Sequence, residues 1–419
     1  MRRIALRSLA AISLALTLLP AATRPHYGGT LRVQIADALP TLEPGEPARD
    51  RVAALIVETL VDLDGHGLPR PKLAVGWTHD ADGRRWSFTL RPRVLFHDGS
   101  TFSAASAAGV LTGVMKNVTV EAAGAVLVID SPVPRPGLLE ELASPRYGIY
   151  KKTPEVPLIG TGPFRLDPWL PGAPVRLAAF EEHWAGRPYL DAIHFDTRQA
   201  GVPDIVDLPV NANARTLSEK LRLEASLPVE LFAVVLPAGV TPQLREALTL
   251  SIDRAAIVNV LFQKRGEATA ALLPQWLSGY AFLFPAQMDL NRARPLAAGV
   301  HQPLTLGYSA GDALARGVAD RIALNARDAG IIIQSVAGSA QARLVRLPVA
   351  SVNPAQALTE MAAALGEVEP IGDTYESERG LIDRSRLVPI AHIPRLYGIH
   401  NRVRDYAPGG RLDNVWVAP

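Results

Sequence analysis

The sequence of 419 residues contains no cysteine, so the chain can form no disulfide and offers no cysteine for a lipid anchor. Long apolar runs are scarce as well. The one apolar stretch of note, residues 9–19, is too short to span a membrane, and no other uninterrupted run is long enough. We therefore expect a mature chain that is neither lipid-anchored nor inserted in a membrane.

Several signatures of cofactor chemistry are missing too. The sequence has no Walker A motif, no dinucleotide-binding fingerprint and no H-E-x-x-H segment among its nine histidines. His392 and His400 could meet a metal chelate, but structural histidines are the more ordinary interpretation. The sequence thus predicts no cofactor and no resident metal.

Charge of one sign is also lacking. The first 23 residues hold Arg2, Arg3 and Arg7 and no acidic residue. Removing these three arginines from the 43 basic residues leaves 40 against 41 acidic ones, a formal charge of −1. Such a balance gives no electrostatic reason to bind nucleic acid.

Residues 1–23 have the pattern of a secretory signal. Three arginines precede the apolar stretch, and small residues at positions 21–23 follow it, near a cleavage point. An exported chain without cysteine fits an oxidising compartment in which disulfides are permitted but not required. We expect a periplasmic protein, released from a cleaved signal and without a lipid anchor.

Residues 58–104 carry the strongest pattern in the chain. Trp86, Phe88 and Leu90 alternate with polar residues, which is the period of a half-buried strand. Turn sequences punctuate the segment at residues 64–65, 80–83 and 97–99. Ser103 is placed to cap a following helix. The physics alone predicts a meander of short strands that builds a lobe.

This segment resembles the periplasmic solute-binding proteins of ABC transporters, family 5, the branch that binds oligopeptides, dipeptides and nickel. The register, rather than any single motif, carries the resemblance. The matching positions are residues 68–73, Ala74, Trp77, Asp82, Gly83, Phe88, Leu90, Arg91, Val94, residues 96–99 and Ala104.

Two further segments are similar to the same family. Residues 159–169, IGTGPFRLDPW, match its G-T-G-P-Y motif, where Gly160 and Gly162 are expected to allow unusual backbone angles. Residues 241–262 match its paired helices, with Asp253 as the cap of the second. The chain departs from the family after Arg198, where a helix is missing, and at residues 341–372, where the second lobe is short and lacks tryptophan.

The resemblance implies an α/β fold with two lobes, of the periplasmic binding protein type known as class II or cluster C. After the signal, residues 24–232 would form the first lobe, with an extra sub-domain at about 46–157. Residues 233–385 would form the shortened second lobe, and residues 386–419 would return to the first.

The resemblance also implies a ligand cleft between the lobes. The candidate ligand-binding residues are Ala38 and Leu39 at the end of the first strand, Tyr147 in the first lobe, and Trp276 and Tyr280 in the second. Aromatic residues are mostly core, so packing is the ordinary alternative for each. No catalytic residue is assigned.

The function implied is the capture of a peptide or similar small solute and its delivery to ABC transporter permease subunits, by a monomer that is not an enzyme. One alternative is a degenerate scaffold that acts as a sensor or binds a protein partner, suggested by the short second lobe.

A second alternative is a serine hydrolase. Residues 307–311 read G-x-S-x-G between a predicted strand and helix, the setting of a nucleophilic Ser309. Asp373 or Asp383 and then His392 or His400 follow in the order that hydrolases use. Against this reading, no glycine-rich segment for an oxyanion hole lies upstream.

Overall fold

The computed structural model describes residues 25–45, 47–299, 302–368 and 372–418, and the predicted signal lies outside these residues. The strands are, in chain order, β1 (Thr30–Gln34), β2 (Val61–Leu63), β3 (Pro69–Pro71), β4 (Ala74–His79), β5 (Arg85–Leu90), β6 (Thr119–Ala123), β7 (Val126–Asp130), β8 (Phe164–Leu166), β9 (Val175–Ala179), β10 (Ala192–Asp196), β11 (Ile205–Leu208), β12 (Leu221–Val235), β13 (Glu267–Ala268), β14 (Leu304–Tyr308), β15 (Ile333–Ala337), β16 (Ala342–Pro348), β17 (Leu387–His400), β18 (Val403–Arg404) and β19 (Trp416–Val417). The helices are α1 (Pro47–Ile56), α2 (Ala104–Val114), α3 (Leu138–Leu142), α4 (Pro242–Ser251), α5 (Arg254–Ala256), α6 (Gln275–Ser278), α7 (Leu290–Ala297), α8 (Ala313–Asp328), α9 (Pro354–Leu365) and α10 (Thr374–Arg384).

One long mixed sheet runs through the molecule in the order β15-β14-β16-β12-β17-β11-β1-β10-β9-β8. On one side of the β12–β17 pair, β11, β1 and β10 continue the sheet. On the other side, β16, β14 and β15 continue it. The two halves of the sheet therefore meet in this central pair, in an α/β arrangement as predicted.

The central pair changes its neighbours at a pair of prolines. Pro228 of β12 faces Pro394 of β17, and the register shifts on both sides of Pro228. Proline has no backbone N–H, so neither residue can donate a hydrogen bond to the other strand. The ladder is interrupted at the point where one half of the sheet gives way to the other.

Alternation along β12 builds a core on each face of the second half. Phe232 and Val234 belong to one buried cluster with α4, α7 and α8, whereas Leu231 and Ala233 belong to another with α9 and α10. Successive side chains of a strand point to opposite faces, so a continuously apolar strand can serve two cores.

The predicted meander forms a separate small sheet in the order β4-β5-β7-β6. Trp86, Phe88 and Leu90 are buried in its core, as the alternation predicts. Ser103 caps α2 by accepting a hydrogen bond from the backbone of Ser106, as predicted.

The two strongest motifs of the sequence contact each other. The backbone N–H of His97 donates to the carbonyl of Gly160 at 2.9 Å, and its ring Nε2 lies 2.9 Å from the carbonyl of Gly162. Because a carbonyl only accepts, Nε2 is the donor. Burial lowers the pKa of His97 to about 4, so the ring is neutral at pH 7.

Close packing, rather than unusual backbone angles, explains the glycines of the G-T-G-P motif. Neither Gly160 nor Gly162 has a positive φ, so the expectation about their angles is wrong. A Cβ at Gly160 would lie 1.9 Å from the carbonyl oxygen of Ile56, and one at Gly162 would lie 2.5 Å from that of Leu55. The end of α1 leaves no room for a side chain.

We expect Gly162→Ala to lower the free energy of unfolding by about 1–3 kcal/mol, because the added methyl group meets backbone that cannot rotate away. Gly109→Ala is the matched control, since Gly109 is exposed in α2 with open space around it, and it should stabilise the protein by about 0.5–1 kcal/mol. Urea unfolding of both variants measures the difference. Equal effects would contradict the packing account.

Candidate ligand-binding cleft

A cavity of about 780 Å³ lies where the two halves of the sheet meet. One wall comes from the segment after β1, from α1 and from the end of β11; the other comes from the start of α8 and from β16. Residues of the central strands, including Glu230 and residues 393–397, form the floor. The elements on both sides of the proline pair therefore contribute to one cavity.

Arg51 organises the wall on the α1 side. Its Nη1 donates to Oδ1 of Asp207 at 2.7 Å, and its guanidinium lies 5.4 Å from the ring centroid of Tyr397. Its Nη2 also approaches the hydroxyl of Tyr406 at 3.4 Å. Burial raises the pKa of Tyr406 to about 12, so this hydroxyl stays neutral beside the cation.

Arg346 of β16 organises the opposite wall. It donates to Oδ2 of Asp312 at 2.6 Å, lies 3.3 Å from Oε1 of Glu230, and covers the ring of Phe232 at 4.6 Å. Asp312 also caps α8 by accepting a hydrogen bond from Ala315. The ion pair and the ring contact fix the arginine at the rim of the cavity.

The cavity is lined by charges of both signs in equal number. Four arginines and four acidic residues contribute to it: Arg49, Arg51, Arg346, Arg395, Asp37, Asp207, Glu230 and Asp312. Apolar area from the strands lies between them. Such a lining suits a small solute that carries both charges, because each charged end can meet an opposite charge.

Two of the five predicted ligand residues line this cavity. Ala38 and Leu39 lie in its wall, in the segment after β1. Leu39 is buried, and its carbonyl accepts a hydrogen bond from Gly172. Sequence reasoning placed the end of the first strand at the cleft, and the geometry is compatible with that placement.

The other three predicted residues lie elsewhere. Tyr147 is buried in the core of the small sheet β4–β7, and its hydroxyl donates to Oε1 of Glu141 at 2.7 Å. Trp276 donates through Nε1 to the carbonyl of Pro228 at 2.9 Å, and Tyr280 packs edge-on against Tyr375. None of the three lines the 780 Å³ cavity, so a ligand contact for each stays a prediction.

Sequence reasoning missed the charged residues of the cleft. Arg51, Asp207, Glu230 and Arg346 belong to none of the matched motifs. A weak signal existed, because Glu230 and Arg346 interrupt apolar strands, and a charge in such a position calls for a partner or a cavity.

The residues of the alternative hydrolase site each contact different partners. Asp373 caps α10, Asp383 pairs with an arginine of α4, His392 bonds a backbone carbonyl, and His400 accepts from a backbone N–H. Ser309 is exposed at the end of β14. In the part of the chain that the structure describes, no hydrogen bond joins Ser309 to a histidine.

The described residues show neither a metal-binding group nor a membrane-crossing helix. They contain no group of three or more histidine, aspartate or glutamate side chains placed to hold a metal ion. No helix among them has both the length and the apolar composition for crossing a membrane.

Comparisons with known proteins bear on the identity of the chain. Residues 69–204 match the family described as bacterial extracellular solute-binding proteins, family 5, middle region. This match agrees with the resemblance to family 5 solute-binding proteins that the sequence indicates. The matched region includes the small sheet β4–β7 and both the F-H-D-G and G-T-G-P motifs.

Curated proteins resemble the chain over part of their length. It is 26% identical to the nickel-binding periplasmic protein of Escherichia coli over 294 residues, which cover 58% of this chain and 55% of the relative. It is 25% identical to the glutathione-binding protein GsiB of Salmonella typhi over 309 residues, which cover 63% of this chain and 60% of the relative. The chain thus spans little more than half the length of the curated relatives it matches.

Solved structures extend the likeness to the whole fold. The binding protein DppA of Helicobacter pylori, in complex with the peptide STSA, superposes with a TM-score of 0.79 at 16% identity, covering 94% of this chain and 99% of that one. The dipeptide-binding protein of a Pseudoalteromonas species, in complex with Met-Leu, gives 0.78 at 15% identity, covering 93% and 100%. These likenesses confirm the two-lobed α/β fold. The family is one of binding proteins, in agreement with the expectation that the chain is not an enzyme.

The free energy of unfolding should depend on pH through His392 of β17. Its Nε2 lies 2.8 Å from the carbonyl of Leu272, and burial lowers its pKa from 6.5 to about 4. Between these values the unfolded chain binds a proton that the folded chain does not. Stability therefore falls as the pH drops through this window, by about 1.4 kcal/mol per unit of pKa difference.

We expect His392→Gln to lose less stability than the parent between pH 7 and pH 4.5, because glutamine can donate to the same carbonyl without titrating. His66→Gln, at an exposed turn, is the control and should follow the parent. Urea unfolding at both pH values provides the measurement. Parallel pH dependence in the parent and in His392→Gln would refute this assignment.

Proposed function

We propose that the protein captures a short peptide or a similar small solute between its two lobes and delivers it to an ABC transporter permease. The observation that carries the proposal is the 780 Å³ cavity lined from both halves of the sheet, with balanced charge. Its volume lies within the usual range of about 300–1,000 Å³ for small-molecule sites. A peptide has an ammonium and a carboxylate, and both find opposite charges in this cavity.

We place the hinge at the proline pair of the central strands. The first lobe would then comprise residues 24 to about 228 and about 394 to 419, with the sub-domain at about 46–157, and the residues between would form the second lobe. These boundaries differ by a few residues from the 24–232, 233–385 and 386–419 expected from the sequence. Pro228 and Pro394 interrupt the ladder between the lobes. Bending there breaks few hydrogen bonds, so closure of the lobes around a solute costs little free energy.

Capture in this form requires no chemistry by the protein. Arg51 and Arg346 would orient the anionic end of the solute, and Asp207 and Glu230 the cationic end, by exchanging their present partners for those of the solute. We further propose that the protein acts in the periplasm as a monomer after removal of residues 1–23. Peptide, nickel and glutathione binding are named for its relatives and set the classes to be tested.

One specific observation favours a second candidate, a degenerate scaffold that binds a protein partner or acts as a sensor. The segment after β16 passes directly into α9, so the second lobe is short. A lobe that no longer closes on a solute would leave the scaffold without its transport role.

We expect the melting temperature of the mature protein to rise with di- to pentapeptides, because a ligand of the folded state stabilises by mass action. The gain is about 2.7 kcal/mol at a hundredfold excess over the dissociation constant. Nickel–histidine chelate, glutathione and sugars form the rest of the panel. A shift with another class would name that class instead, and no shift with any would favour the degenerate scaffold.

Two variants locate the site. Arg346→Gln should reduce the shift caused by the best solute at least severalfold, since it removes a charge from the cavity wall. Arg327→Gln changes an exposed arginine of α8 outside the cavity and should keep the shift of the parent. Each shift is measured against the ligand-free variant. An undiminished shift in Arg346→Gln would exclude this cavity.

A further inference from the structure

A second region of contact joins the two halves of the molecule away from the central strands. The turn between β2 and β3 on the first-lobe side touches the segment before α9 on the second-lobe side. Gly67 of this turn has a φ of +76°, and a Cβ there would lie 2.8 Å from the carbonyl oxygen of Val352 and 3.4 Å from Cα of Asn353. The two backbones meet with no side chain between them, and only glycine satisfies both the angle and the space.

Polar side chains of α9 extend this contact. Gln356 and Ser144, which follows α3, are each more than nine-tenths buried. Nε2 of Gln356 donates to Oε1 of Glu360 at 3.1 Å, and burial raises the pKa of Glu360, whereas Gln356, Ser144 and Arg146 act to lower it. Residues from both halves therefore surround the Glu360 carboxylate.

The contact is polar, and two of its carboxylate oxygens lack a partner. Oε2 of Glu360 and Oε2 of Glu140 are buried without a hydrogen-bond partner. Both residues line a cavity of about 340 Å³ at this place, together with Lys72 and Arg411. A buried carboxylate oxygen without a hydrogen-bond donor destabilises the contact, and hydration of that oxygen would relieve the penalty. Separation of the two halves at this place would give both oxygens access to water.

We propose that α9 and the turn at Gly67 form a latch that holds the two lobes closed and sets the balance between the open and closed states. The proposal rests on the proposed two-lobed capture. The segment in which the chain departs from its family would then serve closure by direct contact between lobes. A latch that favours the closed state raises the apparent affinity for a solute of that state by raising its population.

Paired spin labels test the latch, and the absence of cysteine makes the labelling clean. Val133→Cys near α3 and Ala364→Cys on α9 place labels at exposed positions on the two sides of the contact. The distance distribution of the full mature chain without solute is measured by double electron–electron resonance. The parent should give mainly the short distance of the closed state.

Gly67→Ala should shift the distribution to longer distances, with the closed-to-open ratio falling about tenfold, because the methyl group meets the backbone of Val352. Gln356→Ala, which keeps α9 helical, should shift it in the same direction without backbone strain. Gly99→Ala is the matched control: its φ is +79° with nothing within 4 Å, so it carries the same backbone penalty and should leave the distances unchanged.

The outcomes separate the latch from the proposed function. Unchanged distances in folded Gly67→Ala and Gln356→Ala, checked by circular dichroism, would overturn the latch whatever the solute. An equal shift in Gly99→Ala would also overturn it, since general strain would then explain the effect. The measurement contains no solute, so a failure of the peptide panel leaves these distances interpretable.

Discussion

The antiparallel pairing of β12 and β17 is the constraint on which the rest of the structure depends. The pair extends from Leu221 opposite His400 to Val235 opposite Leu387. The other strands in the order of the long sheet follow on one side of this pair or on the other. These strands belong to both halves, so the pairing fixes where the halves face each other and therefore where the cleft lies. The irregularity at Pro228 opposite Pro394 falls where the two halves of the sheet meet.

The motifs that carry the family resemblance are structural in this protein. His97 of F-H-D-G ties down the G-T-G-P loop, and Gly162 of that loop packs against the end of α1. Glu58, buried beside them, accepts hydrogen bonds from Thr161 and Trp184. These contacts tie the region of the small sheet β4–β7 to the end of α1, and the middle of α1 supplies Arg51 to the cleft. The motifs that resemble the family position the cleft residues without lining the cleft themselves.

The two interlobe regions have different physical characters, and this difference bears on function. The 780 Å³ cavity is bounded by satisfied ion pairs such as Arg51 with Asp207, and it is large enough to hold a solute. The contact at Gly67 and Glu360 is close, polar and partly unsatisfied. A binding protein needs both a place for the solute and an adjustable closed state, and in our proposals the two features would supply these separately.

The sequence by itself determined many of the helices and strands and the resemblance to a family. The alternation at Trp86, Phe88 and Leu90 predicted the buried face of a strand, and Ser103 and Asp253 predicted where two helices begin. The register of all the matched positions predicted the fold. These signals can be seen in sequence because each depends on residues that are near one another in the chain. Only the tertiary structure determined which residues line the cleft. Arg51 and Asp207 are 156 positions apart, and no local pattern marks residues that become neighbours only when strands pair. For the same reason Tyr147, a plausible ligand aromatic in sequence, lies in a core, and Gly160 is required by a carbonyl of α1 that sequence cannot place.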